Sequence, residues 1–419
     1  MGGAVDRAWL AARSLVSSGA GLLHRCGAAL SNVGLWRDLV VVGPRALGLV
    51  ERSATGRSRG RSETEGSPAR PRSLRLAAHA AVDEILVALV KSARRPLSVG
   101  DAERVRTETL EALELFGRCG LLDRPAEYHR TPPPPAAVRI APAGAPGLRF
   151  EELVWASGYE PPVGEPGRER WMGFEANHTA YARMLRHPGG PRPWLVCIPG
   201  AGMGNAALDL AVFRAARLHK TLGLNVALPV LPRHGPRKAG EALDIRFPSE
   251  DLLDNVHGLA QAVWDIRGLL SWLRAEEAEA IGIQGVSLGA YVAALCAAFD
   301  DDLACVIAGV PASDLSALFR HHIPPVRRGP SPHLTQEAHL VHKVVSPLAL
   351  RPLVPTERRF IFAGLADRMA HPVHQVHELW LHWDRPRIAW YAGSHMGFVR
   401  SRVVREFVSR ALEESGLVR

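Results

Sequence analysis

From about residue 148 onward, short apolar runs alternate with longer amphipathic stretches, the pattern of an α/β domain built on a largely parallel sheet. LRFEELVWAS and HTAYARMLRH read as the entering strands, followed by PWLVCIPG, LNVALPVL, AIGIQGVS, ACVIAGVP, RRFIFAGL and RIAWYAGS, eight strand candidates in all. Among the intervening segments, DNVHGLAQAVWDIRGLLSWLRAE repeats its apolar positions at helical spacing through Leu259, Val263, Ile266, Leu270 and Leu273, which predicts a helix with one face against the sheet. The expectation is a mostly parallel eight-stranded sheet flanked by helices, spanning residues 148–419.

The chain before this domain is patterned differently. Residues 1–50 are apolar, but Arg7, Arg13, Arg25, Arg37 and Arg45 interrupt them well short of the ~18 consecutive apolar residues of a spanning helix. One or two packing helices are expected, the alternatives being an amphipathic helix on a membrane surface or an Arg-rich targeting segment. Residues 51–75 are rich in Ser, Arg, Gly and Pro with almost nothing apolar, the composition of a flexible linker. Residues 76–147 form a helical extension and a connector. LAAHAAVDEILVALVKSA and DAERVRTETLEALELFGRCG predict two helices, the second opening on Asp101 as N-cap. The four prolines Pro132–Pro135 mark a boundary before the sheet.

Charge changes the picture only at the N-terminus. Of 419 residues, 51 are Lys or Arg and 42 Asp or Glu, a net charge of +9, and +7 of it falls in residues 1–75. The charge therefore argues against a basic nucleic-acid-binding core, and peripheral membrane contact through the arm is the one macromolecular partner it supports. Only four of the 51 basic residues are lysines, and this arginine bias with abundant Ala and Gly suggests a GC-rich bacterial genome. Five cysteines, an odd number without a C-x-x-C pair, predict reduced thiols and a cytoplasmic chain rather than a disulfide-stapled secreted one.

Candidate chemistry begins at Gly285-Val286-Ser287-Leu288-Gly289, which directly follows the apolar run AIGIQ and precedes AYVAALCAAF. A G-x-S-x-G string between strand and helix forces the serine onto a sharp turn with its hydroxyl exposed, and Gly285 and Gly289 admit the close backbone approach that the turn needs. On these residues the chain resembles the α/β-hydrolase superfamily. That resemblance implies an acid and a histidine further along, each on a loop after a strand. FIFAGLADRMAHP supplies Asp367 and IAWYAGSHMGF supplies His395, giving a candidate triad of nucleophile Ser287, orienting carboxylate Asp367 and general base His395. Asp314, after ACVIAGVP, is the alternative acid.

The resemblance further implies two backbone N–H donors for an oxyanion, from Leu288 and from the loop CIPGAGMGN. In that loop Ala201 is the expected donor with Gly202 as the neighbouring alternative, and Pro199 stands where histidine is common in the family. LPRHGPRK, with His234 and Gly235, reads as structural. His321-His322 and the series His371, His374, His377 and His382 lack metal-ligand spacing, so neither a metal nor any other cofactor is expected. His371 and Met369 are expected near the mouth of the site. Residues 313–356 occupy the slot of a short cap insertion that would select the substrate. The resemblance implies a serine hydrolase acting on small-molecule carboxylic esters or thioesters. The alternatives are an acyltransferase or peptidase on the same fold, or a non-catalytic scaffold whose N-terminal arm binds a membrane or partner.

Overall fold

The computed structural model describes residues 73–92, 97–145, 148–238, 247–322 and 335–418. The expectations for residues 1–50, and for the linker up to residue 72, lie outside the described residues. No helix among the described residues is long and apolar enough to cross a membrane.

Among the described residues, nine strands form one sheet in the order β1-β2-β3-β5-β4-β6-β7-β8-β9. They are β1 (Val138–Ala145), β2 (Leu148–Ala156), β3 (Thr179–Leu185), β4 (Trp194–Ile198), β5 (Asn225–Pro229), β6 (Ile281–Val286), β7 (Cys305–Gly309), β8 (Arg359–Gly364) and β9 (Arg387–Tyr391). The first three run antiparallel to their neighbours, including β3 to β5, and every other pairing is parallel. β4 through β8 are buried at every position, which is why they read as unbroken apolar runs, since helices cover both faces of a parallel sheet.

The expected count of eight strands is one too few. β1 does not read as a strand because VRIAPAGA has only Val138 and Ile140 as large apolar residues, carries Pro142 and has no fully buried position. Proline cannot donate to a ladder and is tolerated on an edge strand, the place β1 occupies. Its pairing with β2 brings the sheet's start forward to Val138.

Six helices matter for the site: α1 (Leu74–Ser92), α2 (Val99–Arg118), α3 (Leu252–Ala275), α4 (Leu288–Cys296), α5 (Leu315–His322) and α6 (Arg402–Glu414). On one face of the sheet α3 and α4 build the larger core, and all five apolar positions expected to pack from α3 are buried there. On the other face α6 contributes Val404, Val408, Ala411 and Leu412 to the second core. The N-terminal extension is not a separate unit, because α2 places Val105, Ala112 and Phe116 in the larger core. An ion-pair cluster adds to that docking. Arg170 reaches Glu108 of α2 at 2.6 Å, and Asp251 and Asp254 at the start of α3 at 3.1 and 2.9 Å.

The N-cap of α2 is Ser98, not Asp101. The Ser98 hydroxyl accepts the Asp101 N–H at 3.1 Å and donates to the Asp101 carboxylate at 2.6 Å, so Asp101 lies within the first turn, where its charge favours the helix N-terminus.

Within 313–356, α5 and the short helix Gln336–His342 are described, and residues 323–334 are not. Leu315, Phe319, Ala338, Val341, Val344 and Val345 pack into the larger core. At the end of α5, His322 Nε2 hydrogen-bonds the Met369 carbonyl at 2.9 Å.

Candidate active site

β6 ends at Val286, and Ser287 follows with φ 55° and ψ −117° before α4 begins at Leu288. A non-glycine residue at positive φ is costly and persists only where its surroundings fix it. They do so here through the Ser287 N–H, which donates to the Gly309 carbonyl at 2.9 Å, and the Ser287 carbonyl, which accepts from Ala290 and Tyr291. The flanking glycines are required sterically. A Cβ at Gly285 would lie 2.1 Å from the Gly289 carbonyl oxygen, and one at Gly289 would lie 2.0 Å from that of Ile198. Gly289→Ala is therefore expected to lower stability by about 3 kcal/mol or more, because the neighbours that must yield are backbone. Urea unfolding followed by circular dichroism measures it.

Asp367 follows β8 and His395 follows β9, at the same C-terminal edge of the sheet as Ser287. His395 Nδ1 and Asp367 Oδ2 are 2.7 Å apart, and both side chains are buried. The other carboxylate oxygen of Asp367 accepts the N–H groups of Met369 at 2.9 Å and Ala370 at 2.8 Å. This pairing fixes the tautomer. With Nδ1–H donated to Asp367, Nε2 is the ring nitrogen left to accept a proton. Burial alone would lower the His395 pKa, but the Asp367 carboxylate and, behind it, Asp83 outweigh that effect and raise it above the usual histidine value.

Asp314, the alternative acid, has a different task. Its carboxylate accepts the Ala317 N–H at 2.9 Å and its own N–H donates to Gln375 at 3.0 Å, so it caps the start of α5.

The loop after β4 lies against the serine, since a Cβ on Gly200 would sit 3.3 Å from that of Ser287. Three contacts fix the loop. Gly200 N–H points to Met203 Sδ at 3.1 Å, Gly202 N–H donates to His234 Nε2 at 3.1 Å, and Arg183 bridges the Gly204 carbonyl at 2.7 Å and Asp209 at 2.8 Å. The Gly202 N–H is thus engaged, and Ala201 is exposed at the surface. His234 Nδ1 lies 2.8 Å from the Pro232 carbonyl, and burial pushes the ring pKa down to about 4. It is a neutral imidazole that donates at one nitrogen and accepts at the other. The LPRHG loop is thus structural as expected, but what it supports is the loop beside Ser287.

Among the described residues no group of three or more His, Cys, Asp or Glu side chains could hold a metal ion. His371 Nδ1 accepts the Val373 N–H, His377 stacks on Trp380, and His382 bonds the Leu350 carbonyl. The described cysteines are free thiols, and burial pushes Cys296 and Cys305 up to about 12.

One residue at this site was not anticipated. Asp83 of α1 is 1% exposed, and its Oδ2 accepts the backbone N–H of His395 at 2.6 Å and of Arg368 at 3.1 Å. A signal existed in the sequence. Leu76, Ala80, Asp83 and Val87 share one face of α1 and all are buried, so the aspartate stands at a core-facing position in an apolar helix, where an uncompensated carboxylate is costly.

No family model matches the chain. Among solved structures it is similar to acetyl xylan esterase 1 from Thermoanaerobacterium sp. JW/SL YS485, with 14% identity, TM-score 0.48 and coverage of 77% of this chain and 99% of that one. The acetyl xylan esterase from Paenibacillus sp. R4 gives 14% identity, TM-score 0.48 and coverage of 78% and 98%. The acylaminoacyl peptidase of Pyrococcus horikoshii gives 16% identity, TM-score 0.37 and coverage of 67% and 41%. The mostly parallel sheet flanked by helices is that of the α/β-hydrolase fold. Among curated proteins, uncharacterized protein Rv2627c of Mycobacterium tuberculosis strain H37Rv and uncharacterized protein MT2702 of strain CDC 1551 / Oshkosh are each 49% identical over 352 residues, 84% of this chain and 84% of theirs. With nearly half its residues shared over that length, the chain belongs to the family of these mycobacterial proteins.

Proposed function

We propose that the protein is a serine hydrolase that cleaves small-molecule carboxylic esters or thioesters through an acyl-enzyme on Ser287. The observation that carries this reading is the buried 2.7 Å contact between His395 Nδ1 and Asp367, on loops at the same C-terminal sheet edge as a serine held at φ 55°. A serine hydroxyl attacks a carbonyl only when a base removes its proton, and His395 Nε2 is the free basic nitrogen. As the Oγ–carbon bond forms, the proton passes to Nε2 and Asp367 stabilises the resulting imidazolium. The carbonyl electron pair moves onto oxygen, where the Leu288 and Ala201 N–H groups are the candidate donors. His395 then protonates the departing alkoxide or thiolate. Water, deprotonated by the same nitrogen, attacks the acyl carbon; the Oγ–acyl bond breaks, His395 returns the proton to Ser287 Oγ and the acid leaves.

Leu288 N–H suits this role because it belongs to the first turn of α4, where backbone donors have no intrahelical acceptor. The half-buried Ser287 and the exposed Ala201 leave the reacting positions open to a substrate. Ester preference rests on the family resemblance. A panel of p-nitrophenyl esters of increasing acyl length, assayed against wild type and Ser287→Ala, tests the reading. Release of p-nitrophenol at the variant's rate across the whole panel would sink it, and added alcohols would reveal transfer in place of hydrolysis.

The electrostatics of His395 set the pH dependence. The histidine is a base only when neutral, and its pKa is raised above the ordinary value by Asp367. Activity should therefore fall on acidification with a midpoint above about 6.5. A kcat/KM profile with its acid limb well below that value would contradict this electrostatic description.

A further inference from the structure

Helix α1 lies outside the sheet, yet it docks on the two loops that carry Asp367 and His395. Leu76 and Ala80 pack with Leu365 and Ala366, and Trp390 lies against them. One turn further along α1, Asp83 reaches between the loops. A single oxygen, Oδ2, accepts the N–H of His395 and the N–H of Arg368, the residue after Asp367. Glu84 completes the attachment by accepting from Arg368 Nε at 2.8 Å. The second oxygen of Asp83 is buried without a hydrogen bond. Docking alone does not call for such a group, since burying a carboxylate is unfavourable and a neutral acceptor would satisfy both N–H donors.

We infer that Asp83 is a positioning residue of the catalytic centre: one carboxylate oxygen ties the histidine loop to the acid loop, so that a helix of the N-terminal extension sets the geometry of the Asp367–His395 pair. The inference rests on the triad reading above. Two N–H donors from different loops converging on one acceptor fix the loop spacing, and the 2.7 Å His395–Asp367 contact depends on that spacing. The charge has a second consequence. The groups facing Asp83 are Asp367, His395, the Tyr391 hydroxyl and Arg368, whose guanidinium is paired with Glu84. Burial and the neighbouring Asp367 push Asp83 up to about 7, while His395 opposes them, and the negative form of Asp83 in turn favours protonated His395. The N-terminal extension thereby acts on the basicity of the catalytic histidine as well as on its place.

The test uses the full-length chain and its Asp83→Ala and Asp83→Asn variants, with kcat, KM and the pH profile measured on a short p-nitrophenyl ester. Asp83→Ala removes the tie and should lower kcat about 100-fold, with KM changed no more than about twofold. Asp83→Asn keeps an acceptor for the two N–H groups but not the charge. It should recover most of the plateau rate while moving the acid limb down by about one pH unit. If Asp83→Ala does not fold, as judged by thermal melting, Asp83→Asn decides alone, and an unshifted acid limb overturns the inference. A wild-type kcat in Asp83→Ala, or a loss confined to KM, overturns it too. Should wild type show no Ser287-dependent turnover, the triad reading itself fails and this inference falls with it. Ser287-dependent turnover that is indifferent to Asp83 removes the inference alone.

Discussion

Ser287→Ala is expected to lower kcat on any ester substrate by about 10⁶-fold, down to what binding and the oxyanion donors provide by themselves. The loss is this large because the members of a nucleophile–base–acid set act as a unit. Without the hydroxyl, His395 has nothing to deprotonate in the first step and no acyl-enzyme can form. Folding should be unaffected, since the hydrogen bonds at this turn come from the Ser287 backbone, through its N–H to Gly309 and its carbonyl to Ala290 and Tyr291. An unchanged thermal melt beside lost turnover is the expected pair of results. Turnover retained within tenfold of wild type would assign the chemistry to another residue.

Asp367→Asn should cost about 10⁴-fold in kcat with little change in stability. In wild type one carboxylate oxygen takes the Met369 and Ala370 N–H groups, and the other faces His395 Nδ1. An asparagine that keeps its oxygen on the two N–H donors turns its NH₂ toward Nδ1. That nitrogen must then accept, the ring proton moves to Nε2, and the tautomer can no longer take a proton from Ser287. Part of the activity should return at alkaline pH, where hydroxide can replace the base. A variant within about tenfold of wild-type kcat at neutral pH would mean that Asp367 does not orient the base.

Much of this site was legible before any coordinates because its signals are local. A serine between two glycines, at the junction of an apolar run and a helical one, specifies a turn by the contacts a Cβ would make, and Gly285 and Gly289 make those contacts with backbone. Asp367 and His395 are candidates through the order that the family resemblance implies, each just past an apolar strand. β1 is hard to read because an edge strand needs no buried apolar face, and none of its positions is fully buried. Asp83 and His234 were hidden for another reason. Each acts on a segment far away in sequence, Asp83 on Arg368 and His395, His234 on Gly202. Such pairings are decided by tertiary packing, and the local text records only an anomaly, a carboxylate on the buried face of α1. Likewise nothing local to the sequence marks the Gly202 N–H, the neighbouring alternative to Ala201, as a donor to His234.

The proposal that Ser287 is the nucleophile has one direct measurement. Incubating the folded protein with a fluorophosphonate probe should leave a single covalent adduct, and peptide mass mapping should place it on Ser287. The adduct should form faster as pH rises through the His395 titration. No adduct on active-site-intact protein, or an adduct on another residue that persists in Ser287→Ala, would contradict the proposed mechanism.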